Sequence, residues 1–136
     1  MNAYINNSVD VNYQQQLAKF NIRSIIDEQQ YISEIAAICQ QFETDKRWIL
    51  MLNPNEKSLE QLACYQHINT TRILKVNGSK HRISRLAIEK ALSIGNCAAI
   101  VIYAEDMSSD DLADLQYHAS KSSTQCIILE HRRNLH

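Results

Sequence analysis

Val76-Asn77-Gly78-Ser79-Lys80 is the stretch of this sequence closest to a phosphate cradle, with glycine and lysine ahead of a helical pattern. A Walker A loop needs glycine five residues before a Gly-Lys pair and a hydroxyl after the lysine, because backbone amides wrap the phosphates and the hydroxyl reaches magnesium. Here Ile73 stands five before Gly78, Ser79 separates Gly78 from Lys80, and His81 follows the lysine. Gly78 and Gly95 are the only glycines, so no G-x-G-x-x-G fingerprint exists either. His67, His81, His118, His131 and His136 contain no helical i, i+4 pair and no C-x-x-C is present, so neither metal nor cofactor is expected. Cys39, Cys64, Cys97 and Cys126 each lie in an apolar stretch, which predicts reduced, buried, inert thiols. Asp110-Asp111 could pose as a carboxylate pair, but both fall in the first turn of a capped helix, where the dipole favours them. No catalytic constellation emerges, and the chain reads as a non-enzyme.

One charge pattern stands out. Gln61 to Ile88 holds no Asp or Glu, yet carries Arg72, Lys75, Lys80, Arg82 and Arg85. Glu105 to Asp114 reverses the balance, with five carboxylates and no Lys or Arg. These are either solvated faces or a basic surface for an acidic partner. No aromatic platform is interleaved with the bases, so nucleic acid is not the expected partner.

The elements that must position these residues follow from periodicity. The 136 residues fit about one domain, and a net charge of -1 gives no global pull toward nucleic acid. Residues 1–21 read as a flexible, Asn- and Gln-rich arm, and 22–136 as a single domain with a short polar tail. Asn21–Glu28 alternates poorly and is at most a short strand. Ile32, Ile35, Ala36, Cys39 and Phe42 form one helical stripe. Trp48–Leu52, Ile73–Val76 (interrupted by Lys75), Cys97–Tyr103 and Cys126–Leu129 are largely apolar runs, expected as strands covered on both faces. Helices are expected from a capping box at Ser58 to about Tyr65, from about Lys80 to Ile94 ahead of Gly95, and from Ser108 onward with Met107 and Leu112 as staple. Helices alternating with such strands predict an α/β layered domain with a mostly parallel sheet and no P-loop. No run of 18 apolar residues exists and no signal pattern opens the chain, so no membrane is expected and the cytoplasm is the default.

Four segments carry a family resemblance. Lys46-Arg47-Trp48-Ile49-Leu50-Met51-Leu52-Asn53-Pro54 is similar to the Arg-Trp strand motif of the SulA family of cell division inhibitors. Thr71-Arg72-Ile73-Leu74-Lys75-Val76 occupies the place of that family's Thr-Lys strand, with Arg72 where lysine is common. Ile88 to Cys97 looks like its Ala-Leu-x-x-Gly-Asn signature, and Asn134-Leu135-His136 resembles its ending. Tyr103 closes the central strand where members often carry Trp, and residues 1–21 match nothing in the family.

The resemblance implies a RecA-like fold without a nucleotide site. It implies SOS-induced inhibition of division by binding FtsZ, the tubulin-like GTPase of the division ring. The inhibitor would cap the longitudinal contact face, which blocks polymerisation and GTPase activity. It further implies a homodimer and removal by the Lon protease, with His136 as part of the address. At matched positions, Arg47 and Arg72 would pair with acidic groups of FtsZ, or else form ion pairs within the chain. Trp48, Leu52 and Leu62 would supply the apolar centre of that interface, or else plain core, with Trp48 leaning to core. Lys75 would add a further charge contact. The alternatives are a RecA-like nucleic-acid-binding module using the 72–85 basic stretch, and a small nucleotide-dependent enzyme.

Overall fold

The structure is a computed structural model and describes residues 19–64, 68–76, 85–104 and 107–131. The expected arm (apart from its last few residues), the tail with His136, and Lys80, His81 and Arg82 lie outside the described residues. The described elements are β1 (Phe20–Ile25), α1 (Glu28–Gln41), β2 (Trp48–Leu52), α2 (Glu56–Ala63), β3 (Ile73–Val76), α3 (Arg85–Ile94), β4 (Cys97–Ala104), α4 (Ser109–Ser120) and β5 (Gln125–His131).

The five strands form one sheet in the order β1-β5-β4-β2-β3, and every pairing is parallel. The chain starts at one edge, crosses to β2, moves out to β3, and then returns through β4 to β5. Parallel crossovers of one hand must change face when the winding direction reverses. The helices obey this. Tyr31, Ile32, Ile35, Ile38 and Cys39 of α1 and Leu59 and Leu62 of α2 share one core with Ile49, Met51, Val101 and Ile127. Ile88 and Leu92 of α3 and Leu115 and Ala119 of α4 share the other with Leu52, Ile100, Ile102 and Ile128. The result is an α/β/α layered domain.

Position in the sheet explains the strand sequences. β4 is central, and Cys97 to Ile102 are all buried. β3 is an edge strand, and only Ile73 is partly covered. Its three apolar residues around Lys75 led to an expectation of cover on both faces, which the edge position overturns. β1, whose alternation is poor, is nonetheless a strand, because its end residues Phe20 and Ile25 point into different cores.

Local chemistry sets the helix starts. Ser108 Oγ accepts the Asp111 amide at 3.1 Å, and the expected staple residues Met107 and Leu112 are both partly buried against the core that α4 covers. The cap of α2 lies three residues earlier than expected. Asn55 Oδ1 accepts the Ser58 amide at 3.1 Å, while Ser58 Oγ donates to Glu28 on α1. Asn follows Pro54 in an extended conformation, so its short carbonyl reaches the third helical amide, and Ser58 becomes an interior residue. Asp27 caps α1 through the Gln30 amide at 2.8 Å, and Gln30 Oε1 returns a bond to the Ile26 amide. Gly95 ends α3 with φ of 75°, the left-handed conformation its place after the helix demanded. Three cysteines are buried, but Cys64 is exposed because it caps the last turn of α2 and not the core stripe.

Candidate partner-binding surface

The amino-terminal ends of β2, β3, β4 and β5 meet around Asp45. The Asp45 carboxylate accepts the Arg47 backbone amide at 3.0 Å, Arg47 Nε at 3.1 Å and Arg47 Nη2 at 2.9 Å. These hydrogen bonds, side chain first and backbone next, hold the Asp45 carboxyl below its ordinary range. Arg47 Nη1 turns the other way and donates to the Gly95 carbonyl at 3.2 Å and to Ser123 Oγ at 3.1 Å. Arg72 Nη1 donates to the Asp45 carbonyl, and the Arg72 carbonyl accepts the Ile49 amide at 2.9 Å. Arg47 therefore clasps the loops that enter β2, β4 and β5, and Arg72 ties the entry of β3 to the same loop. The intrachain reading of both arginines is what the geometry displays.

Trp48 opens β2 immediately beside this clasp and is 43 % exposed, so it is not core. Its register partner Cys97 belongs to the core that α3 and α4 cover, which puts Trp48 on the Leu50 side of the sheet. The register aligns Leu50 with Leu74 and Leu52 with Val76, so both β3 side chains share that face. They remain 41 % and 42 % exposed. Trp48, Leu74 and Val76 thus form an apolar margin along the β3 side, where no helix covers the sheet among the described residues.

Leu52 and Leu62 do not join it. Leu52 is 4 % exposed at the carboxyl end of β2, and Leu62 is fully buried beneath α2. A fully buried leucine touches no partner, so their part is to hold β2 and α2 in place. Lys75 is exposed on the opposite face of β3, at a cleft of about 200 Å³ between α2 and the sheet edge. Sequence reasoning thus placed Arg47, Trp48 and Arg72 in one neighbourhood. It grouped Lys75, Leu52 and Leu62 with them, whereas the structure sets Lys75 on the opposite sheet face and buries both leucines. It missed Asp45, whose signal was a carboxylate two residues before an arginine. It missed Leu74 and Val76 because only strand order reveals an edge.

The carboxyl ends of the strands hold a second polar group. Tyr31 accepts the Asn55 amide on its hydroxyl at 3.1 Å and packs edge-on against Tyr103 at 5.0 Å. Burial pushes the Tyr31 hydroxyl pKa up, which keeps it neutral. Among the described residues no cluster of three His, Cys, Asp or Glu could hold a metal. The arrangement offers an exposed tryptophan, a sheet margin and a charged frame, which suits protein contact better than bond chemistry.

Comparison with known proteins agrees with that character. The sequence profile of the family described as cell division inhibitor SulA matches residues 23–126. The chain also resembles the crystal structure of SulA from Pseudomonas aeruginosa, with a TM-score of 0.64 and 18 % identity, over 85 % of this chain and 99 % of that one. That likeness carries the α/β fold. No curated protein matches the chain.

Proposed function

The chain belongs to the SulA family of cell division inhibitors, and from that premise we propose that it binds FtsZ and caps the longitudinal contact face of the filament subunit. Capping denies the next subunit its seat. Polymerisation stops, and GTP turnover stops with it, because the hydrolytic site of such a filament is completed by the neighbour. The inhibitor makes and breaks no bond in this reading. The layered domain is read as RecA-like but without the phosphate loop, in keeping with the failed Walker pattern at Gly78-Ser79-Lys80.

The observation that carries the reading is the exposed Trp48 inside the segment matched by the family profile. A large aromatic left nearly half uncovered beside a rigid clasp is a pre-organised anchor, and a few such anchors dominate most interfaces. Arg47 and Arg72 are assigned mainly to holding that anchor, with their outer edges available to acidic groups. Lys75 is a peripheral contact, and Leu52 and Leu62 support from within. We further propose SOS-induced expression, a cytoplasmic homodimer, and removal by the Lon protease through His136.

The test is sedimentation of FtsZ polymer from a matched species, with GTP turnover in parallel, as the protein is titrated in. Near-stoichiometric loss of both is expected. Trp48→Ala should shift the inhibitory midpoint upward by about tenfold or more while thermal unfolding stays unchanged. Undiminished polymer and turnover across an excess of the protein would sink the reading.

A further inference from the structure

Among the described residues β3 pairs with β2 alone. The Ile49 amide bonds the Arg72 carbonyl and the Asn53 amide bonds the Val76 carbonyl, each at 2.9 Å. In a parallel ladder alternate residues turn to the same neighbour, so Leu74 also faces β2, and Ile73 and Lys75 face outward. The Ile73 amide is used by the Thr70 carbonyl at 3.2 Å. That leaves the Ile73 carbonyl and the Lys75 amide and carbonyl as open ladder groups among the described residues.

The two faces flanking this edge differ in chemistry. One presents Leu74 and Val76, each about two-fifths exposed. The other presents the 200 Å³ cleft, with Leu59, Ala63 and Ile73 as apolar lining and Glu56, Glu60 and Lys75 as its charges. Two carboxylates against one ammonium leave the cleft negative. Glu56 and Glu60 stand one helical turn apart, about 6 Å. Same-side residues of an extended strand repeat at about 6.6–6.8 Å. The two spacings match.

We propose that the outer edge of β3 is a docking site for an extended segment of a partner protein in which basic and apolar side chains alternate. The segment adds a strand to the sheet through the three open backbone groups. Its basic side chains enter the cleft toward Glu56 and Glu60, and its apolar ones cover Leu74 and Val76. A second copy of this chain is disfavoured as occupant. Two β3 edges meeting would bring one Lys75 toward the other, the usual guard of a natural edge strand against self-pairing.

The test is an NMR titration of the isotope-labelled full chain with a synthetic peptide of alternating arginine and valine. A glutamate–valine peptide serves as control. Amide shifts confined to Ile73–Val76 and α2 are expected, with the acidic peptide about tenfold weaker or silent. Lys75→Met keeps the amide and removes the competing ammonium, so it should bind at least as well. Lys75→Pro removes an outward amide and spares the β2 ladder, so it should lose binding. Where that variant does not fold, a Glu56→Gln, Glu60→Gln double variant should weaken binding about tenfold. Equal binding of the two peptides would overturn the proposal. So would shifts centred elsewhere, unchanged binding by the folded Pro or Gln variants, or β3 shifts that follow protein concentration without peptide.

Discussion

Asp45 takes three donors from Arg47 on one carboxylate, and that geometry makes it the chain's acid-sensitive latch. Its folded pKa is lowered, so its stabilisation is complete above the unfolded value of about 3.9 and is lost as pH falls through the folded value. Urea midpoints measured from neutral pH into acid should therefore fall faster below about pH 4 for the native chain than for Asp45→Asn. The two curves should converge in strong acid. The cysteines give a second residue-level outcome. Burial pushes Cys39 up to about 11 and Cys126 up to about 12, and it raises Cys97 as well, which suppresses the thiolate at all three. Cys64 is the exposed thiol. A native chain treated with an aromatic disulfide reagent at neutral pH should release about one equivalent rapidly, and Cys64→Ser should remove that fast phase.

At the scale of elements, caps and ends decide what sequence periodicity leaves open. Asn55, and not Ser58, begins α2. Asn55→Ala should cost about 1 kcal/mol in denaturant unfolding. Ser58→Ala leaves that cap in place and should instead register the lost bond to Glu28 between α1 and α2. Gly95 joins α3 to β4 at positive φ, and an added Cβ would sit 3.0 Å from Ser123 Oγ, itself bonded to Arg47. Gly95→Ala should destabilise by about 1 kcal/mol or more and should loosen the clasp. Both starts were partly legible. Ser108 and Gly95 are read directly, because a cap needs only its own side chain or its own missing one. Asn55 and Ser58 are both good caps, and the choice fell to packing against α1.

For the whole molecule, the sheet order ranks the strands by stability. β4 and β5 lie between other strands and between two helix layers, with Ile100, Cys126, Ile127, Ile128 and Leu129 fully buried. Their amides should exchange with solvent only by global unfolding. β3, open at its edge, should exchange by local opening, orders of magnitude faster. Native-state hydrogen exchange read strand by strand checks this. A ranking in which β3 equals β4 would mean that the edge is covered in solution. The low-stability margin is also the side that carries Trp48, Leu74 and Val76, so the rigid centre supports a surface left open for contact.

The sequence by itself determined the α/β class, the parallel strands and the family. These depend on residue type and on spacing along the chain, which one dimension contains. Cys97-Ala98-Ala99-Ile100-Val101-Ile102 could only be an interior strand, since no edge could leave six such residues to water. Trp48-Ile49-Leu50-Met51-Leu52 and Ile73-Leu74-Lys75-Val76 look similar on paper, yet one strand is flanked on both sides and the other on one. Only the tertiary structure decided which of their side chains meet water. Exposure is a property of neighbours brought from far along the chain: the core shared with α1 and β2 buries Leu62, and Gly95 and Ser123 occupy Arg47. A surface is what the packing leaves uncovered, and packing is settled by all the elements together.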